Sequence, residues 1–448
     1  MMRPSNDRAP QAGELFSPLR LDRHDKVIVA VSGGSDSLAL LDLAAMALAG
    51  TGPELVAVTV DHKIRPEAAG EARAVGDICR DLGVSHRTVC WEDADLMAGG
   101  LIARAREARY RLLAKAAEDV GAGLVLLGHT ADDQAETVAM RAARKPHNAE
   151  GWDRGGAGMA RATLFDGRIW LVRPLLGECR QALRAHLSRR GLGWIDDPTN
   201  IDMRYERPRI RAKLTDGETA PMLLAAAQAT KLRAAVGGRA ARLIARHIAM
   251  PAPGLFRIDP QMLLEGDPEA AHYAFRCLLA VVGGREHLPD HDRSAALLSR
   301  LDEPGLCATL SRTRVEVHRL GIFLSRESRD LPRVVALPGT VWDARQRLGT
   351  PTLGPGALIV PKGEAAAAEA AKSYPTSPER LVRIALSAEP ELVYEGGTKT
   401  SPGADFERRV APFARFLGEY DLELAAALAG VVGAARPPAS PFARHIAG

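Results

Sequence analysis

The stretch IVAVSGGSDS, residues 28–37, decides the fold of the N-terminal half of this 448-residue chain. Its first four residues are β-branched or small and apolar, which predicts a buried parallel strand. The strand breaks at Ser32, and Leu38, Leu41 and Ala45 then recur at the spacing of an amphipathic helix. A strand, a glycine-rich turn and a helix N-terminus in succession form an anion site, because free N–H groups and the helix dipole favour a phosphate. The residues predicted to line this site are Ser32, Gly33, Gly34, Ser35, Asp36 and Ser37.

Asp36 is the unusual member of this turn, because a carboxylate repels phosphate. It is tolerated if it faces a Mg²⁺ ion that bridges phosphate and protein, so Asp36 is the predicted metal ligand. The Walker motif is excluded, since it requires a lysine after a longer glycine spacing. SGGSDS after a strand resembles the pyrophosphate loop of the N-type ATP pyrophosphatases, which implies that the site binds ATP and splits it between the α and β phosphates.

Two further predicted strands also end in polar residues. The strand at 55–60 is followed by Asp61 and His62, and the strand at 124–127 is followed by His129. Because α/β sheets bind their ligands at the carboxyl ends of the strands, we expect these three side chains at the rim of the ligand site.

An acidic cluster opens the helix after the second of these strands. Asp133 and Glu136 are three residues apart and share a helical face. Capping by Asp132 or Thr130 would account for one polar side chain but not for so many. Two neighbouring carboxylates are costly unless a cation lies between them, and either Mg²⁺ or a substrate ammonium group would serve.

The composition excludes several classes of protein. The five cysteines include no C-x-x-C pair, which excludes a zinc knuckle, an iron–sulfur cluster and a disulfide framework. No apolar run reaches membrane-spanning length and residues 1–11 are polar, so we expect a cytoplasmic protein without a membrane segment. The net charge of +4 is compatible with a nucleic-acid partner but does not require one.

Seven motifs follow one another in an order that resembles the tRNA(Ile)-lysidine synthases, over nearly half of the chain. They are SGGSDS at 32–37, VDHKIRPEA at 60–68, REARY at 106–110, GHTADDQAET at 128–137, GGAGM at 155–159, RPLL at 173–176 and DDPTN at 196–200 with the arginines after it. One departure is Pro208, between Arg207 and Arg209, where the family usually has asparagine. A proline there removes a backbone donor and fixes φ.

The resemblance implies an α/β fold with a doubly wound parallel sheet of the PP-loop ATP pyrophosphatase type, followed by a helical linker and a smaller α+β accessory region. The implied organisation is a flexible arm at 1–20, a catalytic domain at 21–215, a helical linker at 216–300, an α+β tRNA-binding region at 301–435 and a disordered tail at 436–448.

The resemblance also implies a reaction. ATP adenylates the C2 oxygen of the wobble cytidine in the tRNA(Ile) whose anticodon is CAU, and lysine then displaces AMP from C2. Asp36, Arg109, Asp133 and Glu136 would be the catalytic residues. Of these, Asp133 and Glu136 would receive the lysine ammonium, while Arg109 would stabilise charge on phosphate. Asp61, His62 and His129 would join residues 32–37 in binding ATP, with Mg²⁺ as the metal cofactor.

Five arginines are the predicted contacts for tRNA: Arg204, Arg207, Arg209, Arg312 and Arg314. Basic side chains contribute affinity for nucleic acid through phosphate contacts. For the two in the C-terminal half, a merely solvated face is an equal alternative.

Three other functions are weighed against this one. A tRNA cytidine thiolase of the same superfamily usually needs paired cysteines, and a glutamine-fed amidotransferase needs a glutaminase domain that has no signature here. A non-enzymatic RNA-binding protein would have no use for Asp36 beside a phosphate loop. The sequence leaves the oligomeric state open, a homodimer included.

Overall fold

The computed structural model describes residues 9–50, 52–63, 67–92, 100–144, 156–196, 202–204, 206–350, 356–394 and 406–443. Parts of three motifs lie outside the described residues: positions 64–66 of VDHKIRPEA, position 155 of GGAGM and positions 197–200 of DDPTN. The chain forms two compact units. The first comprises Met1–Ala234, Gly418–Tyr420 and Pro438–Gly448, and the second comprises Ala235–Leu417 and Asp421–Pro437.

The first unit alternates strands and helices. Its helices are α1 (Ala12–Phe16), α2 (Ser35–Leu48), α3 (Ala68–Asp81), α4 (Leu101–Val120), α5 (Ala131–Arg144), α6 (Arg180–Arg190) and α7 (Glu206–Arg211), and α8 (Asp216–His247) begins in it. Its strands are β1 (Lys26–Ala30), β2 (Glu54–Asp61), β3 (Ser85–Cys90), β4 (Leu124–Leu127), β5 (Ala162–Phe165) and β6 (Ile169–Val172).

A parallel sheet forms the centre of this unit, in the order β6-β4-β1-β2-β3. β5, which the sequence did not predict, pairs antiparallel with β6. Val27 and Ile28 of β1 point to opposite faces of the sheet and neither is exposed, so both faces are covered. The predicted α/β fold with a parallel sheet covered on both faces is therefore confirmed.

Helices α4 and α2 pack against the sheet at its centre. Leu113 and Ala117 of α4 belong to one buried cluster with Ile28 of β1 and Val125 of β4. α2 contacts β1, β2 and β4, and it packs in turn against α6. The apolar spacing of these helices therefore serves burial, while their N-terminal ends remain at the rim of the sheet where the polar residues gather.

A buried carboxylate joins α2 to α6. Asp42 of α2 has no exposed surface, and its Oδ2 lies 2.7 Å from His186 Nε2. Arg190 Nη2 donates to Asp42 Oδ1 at 3.0 Å and its Nε donates to Oδ2 at 3.1 Å. A buried carboxylate is tolerated only with such partners, so this contact fixes the helix pair.

The two ends of the chain differ from the predicted loose arm and disordered tail. Residues 12–16 are helical, and Leu19 forms a β-bridge with Phe442. Glu419, fully buried, receives two hydrogen bonds of 2.7 Å from Arg161 and one of 2.7 Å from Ser440 Oγ. Residues 438–443 are thus part of the first unit, through contacts between segments far apart in sequence.

The second unit contains small antiparallel sheets and short helices. Its helices are α9 (Pro268–Val282), α10 (His291–Leu298), α11 (Gly363–Ala371), α12 (Glu379–Ser387) and α13 (Leu422–Val432). Its strands are β7 (Ile248–Ala252), β8 (Leu255–Ile258), β9 (Cys307–Leu310), β10 (Thr313–His318), β11 (Gly321–Arg326), β12 (Val334–Val335), β13 (Val341–Trp342), β14 (Gln346–Leu348), β15 (Ala357–Pro361), β16 (Pro390–Tyr394) and β17 (Phe406–Arg408), with β18 (Phe416–Gly418) at its boundary.

β9, β10 and β11 form a five-stranded antiparallel sheet with β8 and β7. The prediction that the region 216–300 is helical is wrong in part, because this region also contains the hairpin of β7 and β8. Pro251, Pro253 and Gly254 disfavour a helix and favour a turn. Ile248 and Ile258 are buried opposite each other across the hairpin. Local turn residues and tertiary pairing therefore agree here. Among the described residues, no helix is long and apolar enough to cross a membrane.

Replacing Asp42 by asparagine removes the charge that His186 and Arg190 face, and we expect the free energy of unfolding to fall by about 3 kcal/mol. The measurement is the urea midpoint of the first unit. Asp77→Asn is the matched control, because its ion pair with Arg80 is exposed on both sides and should contribute less than about 1 kcal/mol. Equal midpoints for the two variants would contradict the structural role of Asp42.

Candidate active site

The phosphate loop is held in shape by its own serines. Ser37 Oγ accepts a hydrogen bond from the Ser32 backbone N–H at 3.1 Å and donates to the Gly34 carbonyl at 3.0 Å. Gly34 is the N-cap of α2 and supplies no side-chain hydrogen bond to the first helical turn. A helix N-terminus that lacks a side-chain cap, following a glycine turn, is suited to an anion.

The backbone conformation at Gly33 and the space around its Cα both favour glycine over any other residue. Its φ is +84°, in the left-handed region, and a Cβ atom there would lie 2.8 Å from Ile195 Cδ1. The Ile195 backbone N–H also donates to the Gly33 carbonyl at 2.9 Å. The segment after α6 therefore packs directly over the loop and requires glycine at this position.

Asp36 is half-buried and paired with an arginine from α6. Arg180 Nε donates to Asp36 Oδ2 at 2.9 Å, and Ser35 Oγ donates to Oδ1 at 3.0 Å. Burial raises the pKa of the Asp36 carboxyl, the Arg180 guanidinium opposes that rise, and the charge of Asp133 adds to it. The carboxylate form of Asp36 thus depends on a nearby cation.

Asp133 and Asp132 both bind the start of α6, although they lie on α5. Asp133 Oδ2 accepts from the Thr130 N–H at 2.9 Å, and its Oδ1 lies 3.7 Å from Arg180 Nη2. Asp132 Oδ2 accepts from the Arg180 backbone N–H at 2.8 Å. Asp132 therefore binds the first N–H group of α6, whereas Thr130 caps α5, because its Oγ1 accepts from the Asp133 N–H at 3.4 Å.

Glu136 is only 2% exposed and faces an arginine of α7. Arg211 Nε donates to Glu136 Oε1 at 2.6 Å. The other oxygen, Oε2, has no hydrogen-bond partner within the part of the chain that the structure describes. Pro208 is buried in the first turn of α7, where a missing N–H group costs little, so the departure from the family pattern leaves the helix intact.

Asp61, His62 and His129 lie at the ends of β2 and β4, which the parallel sheet places on the same edge. Asp61 Oδ1 accepts from the Lys63 N–H at 2.8 Å, and the His62 ring meets the Trp91 ring edge-on at 6.0 Å. His62 Nδ1 and His129 Nδ1 are buried without a partner among the described residues. Two such atoms at one rim indicate a place for a polar ligand.

Arginine charges surround His129. Burial lowers the pKa of His129 well below its ordinary value, and the charges of Arg173, Arg109, Arg106 and Arg207 lower it further. Burial is also the main cause that lowers the pKa of His62, followed by the charge of Arg109. Both rings are therefore neutral at physiological pH, and the positive potential here favours an anionic ligand.

The predicted site residues thus divide into three groups by position: the rim of the sheet, the exposed surface of the first unit, and the second unit. Contacts through Arg180 bring Asp36 and Asp133 together, and Arg109 acts electrostatically on both rim histidines. Arg204 is 84% exposed and pairs with Asp202, while Arg209 is exposed. Arg312 and Arg314 lie in the second unit, 3.8 Å from Asp343 and 2.9 Å from Glu316, respectively.

Sequence reasoning missed Arg180 and Arg211, the two cations that meet the acidic cluster. Asp133 and Glu136 face separate arginines and share no cation with each other within the described ranges. The signal that could have found Arg180 is its place at the start of a helix, shortly after the buried strand β6 and its following turn. Arg211 belongs to the basic run already noted after DDPTN.

The donor set suits a hard divalent cation. Asp36 offers carboxylate oxygens beside the phosphate loop, and Mg²⁺ is commonly held by one or two carboxylates together with substrate phosphates. Among the described residues, no three His, Cys, Asp or Glu side chains form a dedicated metal cluster. A metal bound partly by phosphate needs no such cluster.

The parallel sheet, the glycine-rich loop and the acidic rim together define a PP-loop protein, and the model of the PP-loop domain family matches residues 5–218. A tRNA(Ile)-lysidine synthase of Mesorhizobium japonicum is 47% identical over 97% of this chain and 97% of its own length. The corresponding protein of Brucella canis is 38% identical over 94% of this chain and 97% of its own. A solved U34-tRNA thiolase of Methanococcus maripaludis gives a TM-score of only 0.39 at 17% identity, covering 48% of this chain and 76% of that one. The chain belongs to the tRNA(Ile)-lysidine synthase family.

Gly33→Ala should weaken nucleotide binding at least tenfold, because the backbone is left-handed there and the new methyl group lies 2.8 Å from Ile195 Cδ1, so that the loop or the Ile195 side chain packed on it must shift. The measurement is calorimetric titration with a non-hydrolysable ATP analogue. Gly121→Ala is the matched control: its φ is +73°, but a Cβ there meets open space. Both variants carry the backbone strain of about 1 kcal/mol, so equal nucleotide affinities would show that the loop tolerates the displacement.

Proposed function

We propose that this protein catalyses the ATP-dependent ligation of lysine to C2 of the wobble cytidine in tRNA(Ile) with a CAU anticodon. The observation that carries the proposal is a buried, half-satisfied carboxylate, Glu136, one turn after Asp133 on α5, in a chain of this family. The C2 oxygen attacks the α phosphorus of ATP and pyrophosphate leaves. The lysine side-chain amine then attacks C2, and AMP leaves with the oxygen.

The loop at residues 32–37 binds the phosphates through backbone N–H groups and serine hydroxyls. Asp36 is the proposed ligand of Mg²⁺, which would neutralise charge on the phosphates when bound. Arg109 would stabilise the charge that develops at the α phosphate, since it lies in the cationic surroundings of the rim histidines. His62, His129 and Asp61 are the proposed contacts for the nucleoside part of ATP.

The lysine ammonium would bind the free Oε2 of Glu136, with Asp133 as its second carboxylate. Oε1 of Glu136 is held by Arg211, so the side chain is already oriented and loses little freedom on binding. One of the two carboxylates would then accept the proton that the amine must lose before it attacks.

A tRNA cytidine thiolase is the less favoured alternative. That chemistry usually needs paired cysteines, and the five here, Cys79, Cys90, Cys179, Cys277 and Cys307, include no C-x-x-C pair. Within the described part of the chain, none of them forms a disulfide. A cytoplasmic location belongs to the proposal, because tRNA, ATP and free lysine meet there.

The tRNA contacts proposed in the first unit are Arg204, Arg207 and Arg209. Arg209 has no acidic partner among the ion pairs of the described residues, whereas Arg204 is held by Asp202. In the second unit, Arg314 and Arg380 both pair with Glu316, which reduces the net charge of that face. The proposal is therefore better supported for Arg209 than for Arg314.

Glu136→Gln should raise the lysine KM about ten- to a hundredfold, since a charged hydrogen bond in a buried site contributes about 1.5 to 3 kcal/mol. Adenylation does not need lysine, so the adenylated tRNA should accumulate. The measurement follows pyrophosphate release and lysine incorporation separately.

Glu54→Gln is the control for that experiment, because Glu54 forms an exposed pair with Lys26 at the far end of the sheet. If Glu136→Gln abolishes pyrophosphate release while the lysine KM stays normal, Glu136 serves ATP or the metal and the proposed lysine site is wrong.

Replacing Arg312 and Arg314 together by glutamine should raise the KM for tRNA. The slope of log affinity against log salt should become shallower by about 0.7 to 0.9 for each phosphate that the variant no longer neutralises. The charge-matched control is the double variant Arg300→Gln, Arg329→Gln, in the same unit. The same slope in both double variants would assign Arg312 and Arg314 to a solvated surface.

A further inference from the structure

Arg180 bridges two carboxylates to which the proposed function gives different tasks. Its Nε donates to Asp36 Oδ2 at 2.9 Å, and its Nη2 lies 3.7 Å from Asp133 Oδ1. Burial acts to lower the pKa of Arg180, but the charges of Asp36 and Asp133 outweigh it and raise that pKa, so the guanidinium carries its charge throughout. The cation that Asp36 and Asp133 need is therefore supplied by the protein itself.

Helix α6, which carries Arg180 as its first residue, is held in place at both of its ends. Asp132 binds the N–H group of Arg180 at 2.8 Å, and Asp42 holds His186 and Arg190 further along the helix. The Arg180 side chain, in contrast, retains 19% of its exposure and has a long flexible stem between Cβ and the guanidinium. A change of partner by Arg180 thus requires only side-chain rotation.

The phosphate loop lies within reach of such a rotation. Arg180 already contacts Asp36, the second residue of α2, and Arg184, one turn along α6, contacts Ser35 Oγ at 3.4 Å. A guanidinium binds phosphate oxygens as well as carboxylates, with two parallel hydrogen bonds in either case. A phosphate at the N-terminus of α2 would therefore offer Arg180 an alternative anionic partner.

We propose that Arg180 is an internal counterion: it occupies the cation position of Asp36 while no nucleotide is bound, and it moves to the phosphates when metal and nucleotide bind together. This rests on the proposed role of Asp36 as the magnesium ligand. A divalent cation and the guanidinium repel each other at one carboxylate oxygen, so metal alone binds weakly. The nucleotide reverses the balance by giving Arg180 another partner, which also frees Asp133 Oδ1 for the lysine ammonium. Arg180 is thus a positioning residue that makes metal binding depend on nucleotide.

The test measures Mn²⁺ binding by electron paramagnetic resonance of the free ion, with no tRNA or lysine present. In Arg180→Gln, Mn²⁺ without nucleotide should bind at least tenfold more tightly than in the unaltered protein. Arg180→Lys keeps the positive charge and should retain weak binding. Arg189→Gln removes an exposed charge from the same helix and should change nothing.

Adding a non-hydrolysable ATP analogue completes the experiment. The analogue should tighten Mn²⁺ binding strongly in the unaltered protein and at least tenfold less in Arg180→Gln. Unchanged Mn²⁺ affinity in Arg180→Gln, with normal thermal stability, would overturn the counterion role. Asp36→Asn distinguishes failure of the proposed metal ligand from failure of the counterion role. If Asp36→Asn leaves Mn²⁺ binding with the analogue unchanged, the metal role proposed for Asp36 is wrong. If Asp36→Asn weakens Mn²⁺ binding but Arg180→Gln does not change it, only the counterion role of Arg180 is wrong.

Discussion

The arrangement of this active site depends on neutralising carboxylates in a partly dehydrated rim. Asp36, Asp133 and Glu136 lie where the parallel strands end, and each loses water when the surrounding helices pack. An isolated buried carboxylate is too costly to persist, so each is matched with an arginine from a later helix. Arg180 comes from α6 and Arg211 from α7, which ties the positions of both helices to the charge of the site.

This constraint links the catalytic chemistry to the packing behind it. Helix α6 presents Arg180 to Asp36 at one end and is anchored to α2 through Asp42 at the other. The phosphate loop and the arginine above it therefore belong to one helix pair. The packing of Ile195 on Gly33 fastens the segment after α6 to the same loop. The loop is thus preorganised for phosphate. Because it is already ordered in the folded protein, phosphate binding loses little free energy to ordering it.

Local pattern predicted the sheet and most of the site, because the parallel strands are continuous apolar runs and their ends carry the polar residues. β1, β2, β4 and the N-terminus of α2 lie where the sequence placed them. What the pattern did not contain was pairing between distant segments. The contacts of Arg161 with Glu419 and of Leu19 with Phe442 join residues more than 250 positions apart in the chain, and no periodicity encodes them. Arg180 and Arg211 escaped for the same reason: a charged residue on a helix is usually solvated, and only the tertiary structure shows which one is not.

The central claim is that the phosphate loop and the acidic rim act on one RNA base. The most direct measurement is nucleoside analysis by mass spectrometry of CAU-anticodon tRNA(Ile) after incubation with the protein, ATP, Mg²⁺ and isotopically labelled lysine. The wobble cytidine should gain the mass of lysine less one water, with the label, and only when ATP and lysine are both present. If the cytidine stays unmodified although the protein is correctly folded and binds ATP, the proposed reaction is wrong.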